Sequence, residues 1–158
     1  MNIRVIALPT ATVQRVLATH KSPGYGHPAH TELATGHGPC RHCLKPFRIG
    51  EEQRTLFTCN PFYNLAEIPL PGPVFIHTNL CVRFHEDAGY PTELLAYPAV
   101  MDAYDANQNL ILQRRSTDRN HLTLLHEMLS TNAVRYVLVR DLEAGCYDFR
   151  VERNPEKQ

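Results

Sequence analysis

The chain has 158 residues, the size of one globular domain, and its 16 Lys plus Arg balance 16 Asp plus Glu, leaving zero formal charge with histidine neutral. Hydrophobic residues at 43% against 20% charged exclude a disordered chain, and the lack of a basic excess argues against a dedicated binder of nucleic acid or anionic membrane. Five Cys and nine His are the residues that ask for a chemical explanation.

Residues 2–8 read as a first strand. The apolar stretch before Pro9 is too short for a signal peptide, and no apolar run approaches the roughly 18 to 20 residues needed to cross a bilayer. Neither end carries a lipidation motif, so a cytoplasmic location is expected, with the five cysteines as thiols or thiolates rather than a disulfide framework. Val13, Val16 and Leu17 share one face of a helix over 12–19, with Thr10 as its cap. Residues 20–38 form a loop, with a short strand near 31–34. Pro23, Gly24, Gly26, Pro28, Gly36 and Gly38 interrupt it, and His20, His27, His30 and His37 lie in it, a composition that suits a lid or Ω-loop.

Strands follow at 53–58 and 73–78, separated by a loop over 60–72 containing Pro61, Pro69 and Pro71. Residues 100–104 and 110–114 make a hairpin around Asp105–Asn109. A second helix, capped by Thr117 or Asp118, carries the stripe Leu122, Leu125, Met128 and Leu129. Strands over 133–140 and 146–152, turning at Glu143-Ala144-Gly145, close the domain, and 154–158 is a polar tail. The expected fold is a single α+β domain over 1–153, a mostly antiparallel sheet of about six strands with two α-helices packed on it.

The densest chemistry lies in Gly38-Pro39-Cys40-Arg41-His42-Cys43. Two residues between cysteines let both thiols turn inward around a tight loop, the spacing of a zinc knuckle and also of thioredoxin-like redox sites. The redox reading lacks its helix, because Pro46 and Gly50 interrupt any helix starting at Cys43. A zinc knuckle needs two more ligands. His77 ends an apolar strand and Cys81 follows a three-residue turn, so Cys40, Cys43, His77 and Cys81 make a Cys3His set with zinc as the implied cofactor. The competing reading is plain packing: Cys59, Cys81 and Cys146 stand beside apolar strand residues, and His77 beside Ile76, as buried core groups do.

Other concentrations are ordinary. Arg114, Arg115 and Arg119 can hold an anion at the second helix or simply be solvated, and His121 and His126 fall on different helical faces. Asp102 and Asp105 offer a general base, though turn chemistry explains Asp105. No phosphate-binding Gly loop, nucleophile elbow or His-Glu-x-x-His helix is present.

In order along the chain, Pro39-Cys40-Arg41-His42-Cys43-Leu44, Gly50-Glu51-Glu52, Gly72-Pro73-Val74-Phe75-Ile76-His77, Ala103-Tyr104-Asp105-Ala106, Tyr136-Val137-Leu138-Val139-Arg140 and Gly145-Cys146-Tyr147-Asp148-Phe149-Arg150 resemble the bacterial family called domain of unknown function 1203. The resemblance implies a small free-standing bacterial protein and no particular activity. It marks Cys40 and Arg41 as more characteristic than Cys43 and directs attention to Cys40, Arg41, His77 and Cys146. Two function classes follow. One is a metal- or small-ligand-binding domain built on the zinc set, with Arg41 at the ligand and a small molecule or another protein as partner, neither nucleic acid nor membrane. The other is a cysteine/histidine-dependent enzyme of acyl or related group transfer, in which His77 takes the Cys40 thiol proton and Arg41 stabilises the anion.

Overall fold

Alternating burial along residues 3–6 makes β1 (Ile3–Ile6) a half-buried strand, with Ile3 and Val5 turned into the core. A computed structural model describes residues 2–60 and 72–154 of the chain. Among the described residues, eight strands form two antiparallel sheets, of five and three, and two α-helices accompany them, so the class is α+β and mostly sheet. The residues group into two compact units, one of 1–7 with 84–158 and one of 8–83. Hydrophobic patterning shows that a strand is buried on one face; it does not say which sheet the strand joins.

In the first unit, β1 is joined by β5 (Ala99–Tyr104), β6 (Leu110–Ser116), β7 (Tyr136–Asp141) and β8 (Tyr147–Arg153) in the order β1-β8-β7-β5-β6. The inner strands β5 and β7 are buried along most of their length, as their nearly continuous apolar sequences require. Turn chemistry sets the hairpins. Asp105 Oδ1 accepts the Asn107 and Asn109 amides at 2.8 and 2.9 Å, and Asp141 Oδ1 accepts those of Glu143 and Ala144 before Gly145 takes a φ of 71°.

Helix α2 (His121–Ser130) packs on β5, β6 and β7. Its buried stripe is His121, Leu125, Met128 and Leu129, whereas Leu122 is 41% exposed. The cap position is Asn120, with no side-chain cap bond from Thr117, Asp118 or Asn120 itself. Buried His121 is satisfied by donating Nε2–H to Tyr97 O at 3.0 Å, with Nδ1 3.1 Å from Ser116 Oγ.

In the second unit, α1 (Thr10–Thr19) buries Val13 and Val16, and β2 (His30–Leu33), β3 (Gln53–Cys59) and β4 (Gly72–His77) form the smaller sheet in that order. The Thr10 hydroxyl does not cap α1. Pro9 occupies the cap position, and Thr10 is already helical with its Oγ1 3.0 Å from His42 Nε2. Arg54, 6% exposed on β3, gathers the sheet: Nε and Nη2 donate to Glu32 Oε1 at 2.9 and 2.6 Å, Nη2 to Thr35, Nη1 to Gly36 O, and its guanidinium lies 3.9 Å over the Phe75 ring. The His-rich segment is ordered along this sheet: part of it is β2, and His27 Nε2 lies 2.7 Å from Thr58 Oγ1. The proline loop expected over 60–72 lies almost wholly outside the described residues, as do residues 155–158 of the tail. Among the described residues no helix is long and apolar enough to cross a membrane.

Candidate metal centre

The Cys40–Cys43 segment is a tight turn held by its own backbone. The Leu44 amide donates to Cys40 O at 2.8 Å, the Cys40 amide to Lys45 O at 3.0 Å, and Leu44 adopts a left-handed φ of 57°. The Arg41 amide donates to Phe75 O at 3.0 Å, laying this turn along β4 two residues before its end. The His77 amide, at that end, therefore reaches Cys40 Sγ at 3.4 Å, and the irregular turn that follows returns Cys81 to the same point.

All four residues of the sequence-derived set meet here. Their ligand atoms lie within 4.8 Å of one another, with Cys40 Sγ 3.8 Å from Cys81 Sγ and Cys43 Sγ 3.4 Å from His77 Nδ1. A tetrahedral ion with Zn–S near 2.3 Å and Zn–N near 2.0–2.1 Å sets S···S edges of about 3.8 Å and S···N edges of about 3.6 Å. These two separations match such edges, and burial decreases from Cys40 (0% exposed) and Cys43 (8%) to half-buried His77 and Cys81.

The Cys40 and Cys43 thiols share a proton. Hydrogen bonds from Cys43 and Cys81 hold the Cys40 thiol far below its ordinary range, and the Cys43 thiol, whose proton serves Cys40, is pushed far up. Bonds to Cys40 and Cys81 raise His77 to about 10 against the opposing effect of burial. Cys40 and Cys43 titrate as a pair, and a cation entering the group would displace these protons.

Two neighbours support the ligands. Glu52 Oε1 lies 3.8 Å from His77 Nε2, the side of the ring turned away from Cys43, and the Phe47 ring packs 4.8 Å from the imidazole. His42 was not among the residues singled out by sequence. It is fully buried, with Nδ1 3.2 Å from Cys81 Sγ and Nε2 3.0 Å from Thr10 Oγ1. Burial lowers its pKa, and toward a Cys81 thiolate Nδ1–H is the donor, which leaves Nε2 to accept the Thr10 hydroxyl. Only its place between the two cysteines could have marked it.

The remaining candidates lie elsewhere. Arg41 is 1% exposed, and its Nη1 donates to Pro39 O at 2.5 Å. Cys59 is buried on β3, where desolvation raises its thiol to about 12 although the Arg41 charge pulls it down. Cys146 is half-buried in the other unit, its thiol directed at Ala144 O. Arg114 and Arg115 are exposed on β6, and His126 is exposed on α2. Asp102 is buried and occupied, accepting from Gln113 Nε2 and Arg140 Nε at 2.6 Å each.

A cleft of about 450 Å³, lined by Glu51, Glu52, Thr78 and Asn79 among others, includes His77 and Cys81 in its wall. The metal-capable group thus has a closed side, at Cys40 and Cys43, and a side reached from solvent.

Fold and donor set define an α+β protein whose 8–83 unit carries a Cys3His group that could hold a metal ion. Residues 37–153 match the family described as Protein of unknown function (DUF1203). That is more than half of the chain, which belongs to this family, and the matched region takes in all four residues of the group. No curated protein and no solved structure matches the chain.

Proposed function

We propose that the protein is a zinc-binding domain in which Cys40, Cys43, His77 and Cys81 hold one ion, with the neighbouring cleft as the place for a small ligand. The observation that carries this reading is the pair of separations, 3.8 Å between two sulfurs and 3.4 Å between sulfur and imidazole, in one group of four donors of which two are buried and two half-buried. Three thiolates and an imidazole favour zinc over the oxygen-seeking cations, and four protein donors are the number a structural site uses. The ion would pin the Cys40–Cys43 turn to the end of β4. Keeping three thiolates available requires a reducing compartment, which supports the cytoplasm as the location. The zero net charge supports a partner other than nucleic acid or membrane.

Acyl transfer by Cys40 and His77 has less support. Cys40 has no exposed surface to meet a substrate, and the imidazole Nδ1 is engaged with Cys43. Metal analysis of protein purified without an affinity tag tests the proposal. One zinc per chain, lost in Cys43→Ser, is expected; a stably folded, metal-free protein would refute it.

A further inference from the structure

Beyond holding an ion, the group is asymmetric in a way that bears on reactivity. Cys40 and Cys43 are 0% and 8% exposed, whereas Cys81 is half-buried and contributes to the wall of the 450 Å³ cleft. Among the three cysteines of the group, Cys81 is therefore the one a dissolved reagent reaches. It stands in irregular chain after β4, while Cys40 is tied on both sides by backbone bonds to Lys45 and Leu44 and by the His77 amide. Cys40 Sγ lies 3.8 Å from Cys81 Sγ, so a disulfide of about 2.05 Å needs closure by less than 2 Å, on the side of the irregular segment that carries Cys81. The charged residues lining the cleft are Glu51 and Glu52, both also within 3.5 Å of Arg48, and a three-thiolate zinc centre adds a further negative charge. That lining disfavours anionic oxidants and leaves small uncharged ones.

We propose that Cys81 is a site of oxidation by small neutral hydroperoxides, resolved by Cys40 and coupled to release of the metal; the coupling rests on the zinc reading above. In the first step the Cys81 thiolate attacks the peroxide. An S–O bond forms, the O–O bond breaks, and the leaving oxygen takes a proton from solvent to become an alcohol or water. In the second, the Cys40 thiolate attacks the Cys81 sulfur. The S–S bond forms, the S–O bond breaks, and hydroxide leaves with a second proton as water. Two thiolates, one hydroperoxide and two protons thus give one disulfide, one alcohol or water and one water. The two electrons lost by sulfur are those gained by the peroxide. An ion deprived of two of its four ligands, with only Cys43 and His77 remaining, leaves the site.

The test treats the purified protein with hydrogen peroxide and follows metal release with a chromogenic chelator, intact mass, and disulfide mapping by peptide mass spectrometry. The expected result is one metal released per chain as the mass falls by two hydrogens, a Cys40–Cys81 disulfide, and recovery of metal binding after dithiothreitol. Cys81→His, which retains four donors, should keep its metal under the same treatment. A Cys40–Cys43 disulfide, oxidation confined to Cys59 or Cys146, or thiols left intact in excess peroxide would overturn the proposal. Metal is counted on the same sample beforehand. A sample without metal refutes the zinc reading alone, while the disulfide map still decides which cysteines react.

Discussion

The two compact units hold themselves together by different means. The unit of 1–7 and 84–158 has a five-stranded sheet, with α2 laying Leu125, Met128 and Leu129 on it, and buried Val137, Val139, Phe149 and Val151 in its strands. Burial of that kind is worth about 1.5–3 kcal/mol for each large side chain. The unit of 8–83 has three strands, one short helix and long irregular connections, and its largest fully buried side chain is that of Arg41. Small cores commonly need a staple, and here metal-capable Cys40 and Cys43 are buried together with Leu8, Leu44, Phe47, Phe57 and Ile76. The lesson is that the metal-capable chemistry of this chain gathers in the unit with the smaller sheet.

Substitutions can break that contrast. Arg54→Ala should have the largest effect on the smaller unit, about 3–5 kcal/mol in a denaturant titration, because it removes the donors to Glu32, Thr35 and Gly36 together with the contact on Phe75. Leu125→Ala should cost the larger unit about 2–5 kcal/mol by leaving a cavity under α2, with metal content unchanged. A loss of metal in Leu125→Ala would mean that the two units do not hold themselves independently. His42→Ala should weaken metal affinity about 10–100-fold in a competition titration by removing the donor to Cys81, with its mutant's global stability in saturating zinc little changed.

The smallest effect is one of pH. Burial holds His121 below its ordinary pKa of about 6.5, so the unfolded chain takes the proton first. Its contribution to stability is present above that value and lost as pH falls through the lower folded one. His121→Gln should flatten this acid limb, read from amide exchange in β7; an unchanged limb would show that other groups carry it.

The convergence of the four donors was legible in sequence because short spacing limits where paired side chains can go. Cys40 and Cys43 are joined by a two-residue gap and His77 and Cys81 by a turn, and each pair can converge only in a few ways. His42 was not legible, since a side chain that bonds a ligand's sulfur needs no fixed spacing. The strands were largely legible from their apolar runs and turn residues. The helix ends were less so. With α2 beginning at His121, residues 121, 125, 128 and 129 share the inner face, so a histidine with two polar partners takes the place expected of Leu122. Division into two sheets was illegible for a different reason: pairing between strands distant in sequence leaves no periodic trace.

X-ray absorption at the zinc edge of the purified protein tests the ligand set most directly. Three sulfurs at about 2.3 Å and one nitrogen at about 2.0–2.1 Å are expected, becoming two sulfurs and two nitrogens in Cys81→His, which keeps four donors. A first shell of nitrogen and oxygen alone, or one unchanged by that substitution, would contradict that ligand set.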